Sequence, residues 1–203
     1  LLLAAANALV NNDAFEGAIE FTLVGDTYEV AAQSCRAAVA GDAELTIDGQ
    51  PHLSWTSHRL TQGQRFRVGA LTAGARGYLA VAGGFIAAPV LGSVSVQLRE
   101  GLGRALQAGD LLACRPAHFT HAASVPWPYV PDYRCKPLLR VITGGDAASF
   151  EEDQLQGFFA QTWQLSPHSD RMGARLLGEA VQPPVRQWSL GVGRGAIQVP
   201  PDG

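Results

Sequence analysis

The stretch QRFRVGAL (residues 64–71), followed by GARGYLAVAGGF (74–85), decides the fold class. In the first segment Phe66 and Val68 alternate with Arg65 and Arg67, the two-residue period of a strand with one face buried. The second is a nearly continuous apolar run, read as a strand buried on both faces. It closes on Gly83-Gly84, a pair that permits a sharp turn or a close backbone approach.

The same β-compatible pattern extends upstream. AIEFTLVG (18–25), TYEVAA (27–32), CRAAVAG (35–41) and ELTIDG (44–49) are short runs closed by turn-forming residues, and they read as a meander of strands. ELTIDGQPHL (44–53) predicts a hairpin, because Asp48-Gly49 supplies the positive φ angles of a type I′ turn. Ahead of these strands, LLLAAANALV predicts a helix of about three turns lying on the core of the first domain. It has no basic flank, and Asn7, Asn11 and Asn12 end it short of a membrane span.

Residues 117–137, AHFTHAASVPWPYVPDYRCKP, hold four prolines between aromatics. They read as a connector between an N-terminal domain over 1–116 and a C-terminal one over 138–203. Past the connector come a strand in LLRVITGG (138–145), a short amphipathic helix in EEDQLQGFFAQT (151–162), strand and turn in WQLSPHSDRMGARLLGE (163–179), and a final strand in GAIQVPPDG (195–203). A chain ending in Pro-Pro-Asp-Gly looks cut short, since that tetrapeptide usually introduces a returning strand.

Composition narrows the function. The 203 residues are 47% hydrophobic and 16% charged, with 23 Gly and 12 Pro, which suits many short strands and tight turns. A net charge of −3 and a single lysine, Lys136, argue against neutralising a nucleic-acid backbone. Cys35, Cys114 and Cys135 form no CxxC and lie far apart, so neither a disulfide framework nor a zinc site is expected, and a reducing cytoplasm is the default location.

The common catalytic templates are absent: no GxxxxGK[ST], GxGxxG, HExxH or GxSxG. The densest polar cluster is SPHSDRMG (166–173). If the chain from Arg171 is extended, Arg171, Gly173 and Arg175 share one face and could receive a carboxylate or phosphate. The plain alternative is a turn with a surface ion pair between Asp170 and Arg171. A second candidate is GAIQVPPDG, presenting Gln198 and then Asp202 in a rigid turn, although such residues are commonly plain turn formers. His52, His58, His118, His121 and His168 read as surface or packing residues without metal-ligand spacing. Ser93 and Ser95 read as strand hydroxyls near a turn.

Four ordered segments, GARGYLAVAGGFIAAPVLGSVSV, GRALQAGDLL, WQLSPHSDRMGARLLG and GAIQVPPDG, resemble the family of the 5-oxoprolinase C subunit. That family is also called allophanate hydrolase subunit 2 or biotin-dependent carboxyltransferase, and includes a kinase-inhibitor antagonist. The resemblance covers nearly the whole chain. It implies a mainly β protein, with a cyclophilin-like β-barrel in the C-terminal part and a smaller N-terminal β domain carrying one short helix.

It further implies pairing with the B-type partner of 5-oxoprolinase, and cooperation with the A-type partner in the ATP-dependent opening of 5-oxoproline to glutamate. ATP then belongs to the complex, and carboxybiotin is the cofactor of the related carboxyl-transfer chemistry. Alternatives are a carboxyltransferase component, a non-catalytic protein that binds a B-type partner, and a stand-alone prolyl isomerase of cyclophilin type, which fold analogy alone supports. Carried onto this sequence, the site falls on Ser169, Asp170, Arg171, Met172 and Gly173, and on Gln198, Val199 and Pro200. Arg171 is assigned as catalytic stabiliser of developing negative charge and the others as substrate-binding, with no metal. A glycine- and aspartate-bearing motif before residue 1 and the family segment after PPDG are missing, and LREGLGRALQ (98–107) is a few residues shorter than its family version.

Overall fold

The computed structural model describes residues 1–118, 121–134, 138–170, 172–185, 191–201 and 203. The chain divides into two compact units, Leu1–Lys136 and Pro137–Gly203.

The first unit is built on one antiparallel sheet. Its strands are β1 (Ile19–Thr22), β2 (Thr27–Glu29), β3 (Ser34–Ile47), β4 (Gln50–His52), β5 (Ser57–Thr61) and β6 (Arg65–Val81). Along the main path the order is β1-β6-β3-β4, with β2 also paired to β6 and β5 to β3. Segments that the sequence reads as separate strands are joined in pairs: CRAAVAG and ELTI both lie in β3, and RFRVGAL and GARGYLAV both lie in β6. The β3–β6 ladder runs through these breaks with register shifts between Ala40 and Leu45. Bulges let long strands bend while their pairing continues, so small and polar residues mark a bend here instead of an end.

The hairpin at Asp48-Gly49 forms as expected. Ile47 pairs with Gln50, and the two turn residues have φ of 50° and 79°. Asp48 also reaches across to β6, where its carboxylate accepts the Arg65 N–H at 2.9 Å and the Gln64 amide at 2.8 Å. Those two donors hold the Asp48 carboxyl below its ordinary range.

Alternation along β3 and β6 separates two cores. Val39, Leu45, Phe66, Val68 and Leu79 face one side together with Leu60 and Phe21. Burial of each such large side chain is worth about 1.5–3 kcal/mol. Ala38, Ala40, Ala80 and Ala82 face the other side. Their small size leaves room for α1 (Leu2–Leu9), which seats Ala6, Leu9 and the following Val10 against them. This helix is two turns long and is capped at Val10, after which the chain turns at Asn11, whose φ is 56°. Part of the Pro/aromatic segment packs on this same core through Ala123, Val125, Val130 and Tyr133.

After β6 the chain turns at Gly83-Gly84, with φ of 79° and 70° and a Gly84 N–H bond to the Val81 carbonyl. A side chain on Gly83 would strike the Arg115 carbonyl, so the pair serves both the turn and a close approach.

Among its described residues the second unit contains α2 (Glu152–Ala160) and one short hairpin, β7 (Gln164–Leu165) with β8 (Leu176–Leu177). The α2 helix falls where the amphipathic pattern places it, with Glu152 and Asp153 in its first turn. Neither LLRVITGG nor GAIQVPPDG forms a strand among the described residues. The fold is mainly β, as expected. Among the described residues, however, no sheet closes as a barrel, and the larger unit is the N-terminal one. Closure needs every strand paired on both edges, and among the described residues β7 and β8 pair only with each other. Among the described residues, no helix is long and apolar enough to cross a membrane.

Candidate functional site

The first group of site residues occupies the loop that joins β7 to β8. Its base is closed by the Ser166 N–H bond to the Arg175 carbonyl at 2.8 Å, and Ser169 Oγ accepts the Arg175 N–H at 2.9 Å. At its tip, the Asp170 N–H donates to the Gly173 carbonyl at 3.1 Å. The Asp170 carboxylate accepts the N–H groups of Met172 and Gly173 at 2.7 and 3.1 Å. Asp170, Met172 and Gly173 are therefore held in a turn by the aspartate's own backbone and side chain. Arg171 lies outside the described residues.

The turn is exposed at Met172 and Gly173, while Ser166 beneath it is buried and accepts the His168 N–H at 3.1 Å. Its chemistry follows from that geometry. The amides that a phosphate would use are already bonded to a carboxylate, so the described part of the turn offers no phosphate cradle. It does not fit ATP by itself.

In the second group, Gln198 and Pro200 are exposed and Val199 is half-buried. The Pro200 carbonyl accepts the Gly203 N–H at 3.0 Å, and Gly203 packs against Ala180. Asp202 lies outside the described residues. The described hydrogen bonds of each group stay within its own loop.

Ser93 sits in a tight turn in which Val90 and Ser93 exchange backbone hydrogen bonds, and its Oγ accepts the Ser95 N–H at 3.1 Å. That turn replaces the strand expected for this stretch. Two of the histidines do meet: His52 and His58 are edge to face with ring centroids 5.2 Å apart, beside Arg36 and Arg59. His58 Nε2 bonds the Leu53 carbonyl at 2.8 Å, and burial holds this imidazole below its ordinary range. Among the described residues, no group of three or more His, Cys, Asp or Glu side chains is arranged to hold a metal.

Sequence reasoning missed a cavity. It lies in the first unit, has a volume of about 510 Å³, and is walled by core side chains including Val30, Leu60, Phe66 and Leu79. Tyr28 stands at its edge, with a hydroxyl pushed up to about 12 by burial and then by Asp26. Residues 106–112 close another side, steadied by a bidentate pair between Arg104 and Asp110 at 2.7 and 2.9 Å. No local pattern announces such a cavity, because its walls come from β1, β2, β3, β5, β6 and a connection far along the chain.

The family described as "Carboxyltransferase domain, subdomain A and B" matches residues 1–203. The chain belongs to that carboxyltransferase family. It is 34% identical to the 5-oxoprolinase C subunit of Escherichia coli (strain K12) over 98% of this chain and 65% of that relative. It therefore spans about two thirds of the relative's length. It is 29% identical to urea amidolyase of Saccharomyces cerevisiae over 85% of this chain and 10% of that protein. A crystal structure of TTHA0988 superposes with a TM-score of 0.77 at 29% identity, covering 99% of this chain and 40% of the other. Within this carboxyltransferase family the SDRMG and QVPP segments remain the sequence-derived candidates, and the cavity is lined by residues of the first unit.

Proposed function

We propose that this carboxyltransferase-family chain is the larger part of a component equivalent to the 5-oxoprolinase C subunit. In this reading it supplies half of a two-protein site, working in the cytoplasm with B-type and A-type partner proteins to open 5-oxoproline to glutamate. The observation that carries the proposal is the 34% identity to that bacterial relative across 98% of this chain. The absence of any self-sufficient catalytic motif supports a shared site.

Hydrolysis of the ring amide places negative charge on its carbonyl oxygen, and a guanidinium stabilises such charge in a water-poor site. Arg171 is assigned that role. The Met172 and Gly173 amides are already bonded to Asp170. Asp170 is accordingly assigned to shaping the turn and Gln198 to orienting the substrate, with Ser169, Val199 and Pro200 completing the contact surface. ATP, held at the level of the complex, supplies the driving force for ring opening.

A second reading, carboxyl transfer from carboxybiotin, is favoured by the similarity to urea amidolyase. Co-expression with candidate A-type and B-type partners, followed by an assay of glutamate released from 5-oxoproline with ATP, separates the two. Glutamate release that needs this chain supports the first. Turnover only with urea and a biotinylated carrier establishes the second, and tight assembly with no turnover establishes a regulatory, non-catalytic role.

A further inference from the structure

The cavity of the first unit brings together two nucleophilic groups that the proposed function leaves unused. Cys35 lies on β3, packs against the first core and lines the cavity. Next to it, the Arg36 carbonyl accepts the Ala82 N–H at 2.9 Å at the end of the β3–β6 ladder. Three residues beyond Ala82, Phe85 forms an antiparallel bridge with Cys114. Hydrogen bonds from Ile86 to the Ala113 carbonyl at 2.8 Å and from Arg115 to the Gly84 carbonyl at 3.2 Å fix that bridge. Paired backbones run about 4.8 Å apart, so the segment carrying Cys114 is held beside Phe85, and Cys114 lines the same cavity as Cys35. Both thiols are free and only partly buried.

The lining of the cavity selects the reagent. Asp26, Glu29 and Asp110 line the cavity, and among the described residues no Lys or Arg does. Glu29 pairs with Arg65 at 3.6 Å and Asp110 with Arg104 at 2.7 Å, so it is the apolar interior, not a net charge, that favours a small uncharged reagent. Burial, and then Cys114, push the Cys35 thiol up, which favours its neutral resting form.

We propose that Cys35 and Cys114 form a modification site, a thiol pair that exchanges with a small uncharged disulfide entering the cavity and closes into a protein disulfide. One thiol gives its proton to water and attacks a sulfur of the reagent. The reagent S–S bond breaks, and one half leaves as a thiolate that takes up a proton. The second protein thiol, deprotonated in turn, attacks the protein sulfur of the mixed disulfide and releases the other half as a thiol. The two protein thiols are oxidised and lose two hydrogens, and the reagent gains them as it is reduced to two thiols. The new bond ties β3 to the segment that follows the 86–113 connection, whose residues 106–112 wall the cavity.

The test treats the folded chain with 2-hydroxyethyl disulfide at mildly alkaline pH, quenches with iodoacetamide and maps peptides by mass spectrometry. The Cys135→Ser variant and the unsubstituted chain are run in parallel. The expected result in both is a reducible crosslink between the Cys35 and Cys114 peptides, with loss of two hydrogens. Cys35→Ser and Cys114→Ser should each retain a single hydroxyethylthio adduct at the remaining cysteine of the pair. Stable adducts at both cysteines without a crosslink, a crosslink to Cys135 in their place, or reaction only after unfolding in urea would each overturn the proposal.

Discussion

Asn12 sits in a run, Asn-Asn-Asp, that reads as a plain helix stop, yet it joins three parts of the first unit. Its amide donates to Asn7 Oδ1 at 3.0 Å and to the Val81 carbonyl at 2.9 Å, and its Oδ1 accepts the Gly83 N–H at 2.9 Å. Asn7 is fully buried and donates to the Glu16 carbonyl at 2.8 Å. Removing one member leaves buried partners unsatisfied, which costs about 1–3 kcal/mol. Asn12→Ala is therefore expected to lower the denaturant midpoint by an amount in that range without changing the slope. Asp110 offers a pH test. Its carboxyl is lowered from 3.8 to about 2 by the Arg104 guanidinium and then the Gln107 N–H. A depressed carboxyl stabilises the fold above its unfolded pKa of 3.8, and that contribution is lost as pH falls through about 2. Carbon-detected NMR should show Asp110 titrating near the lower value, and Arg104→Ala should return it towards 3.8. Arg171 carries the functional prediction: Arg171→Ala should lower turnover of the reconstituted complex at least about tenfold while assembly persists. Turnover equal to wild type would remove it from the mechanism.

At the scale of elements, Gly77 shows how a strand position is constrained by its neighbour across the sheet. It pairs with Phe21 of β1, and a Cβ built there would collide with the Phe21 ring, which is itself buried. Gly77→Val must expel the ring or part β1 from β6, and overpacking of this kind costs about 1–3 kcal/mol. Thermal unfolding of that variant should begin at a lower temperature, with amide exchange rising first in Ile19–Thr22. Gly77→Val with unchanged melting and exchange would show that the ring has room to move. Much of this scale was legible in the residues. Asp48-Gly49 specified its turn because few residues adopt φ of 50° and 79°, and Phe66-Arg67-Val68 specified its faces through strict alternation. The continuity of β3 and β6 was not legible, since Gly41 and Gly74 interrupt the pattern and only the partner strand shows that pairing resumes beyond them.

For the whole molecule, the family reading predicts that this chain has no turnover alone and gains it only with its partners, which the co-expression assay measures directly. Membership in the carboxyltransferase family was legible from four ordered segments, because turns and close approaches restrict residue choice locally. The mainly β class, α2 and the hairpin were legible for the same reason: a dihedral preference or a two-residue period is a property of a few neighbours. Which remote residues meet was decided by the tertiary structure. Asp170 turned its carboxylate onto the Met172 and Gly173 amides and so closed a turn that sequence spacing left open. Cys35 and Cys114, which chain spacing gave no reason to pair, came to line one cavity. Long-range pairing through β3 and β6 produced that meeting, and its registry depends on the summed burial of both cores instead of on any single stretch of chain.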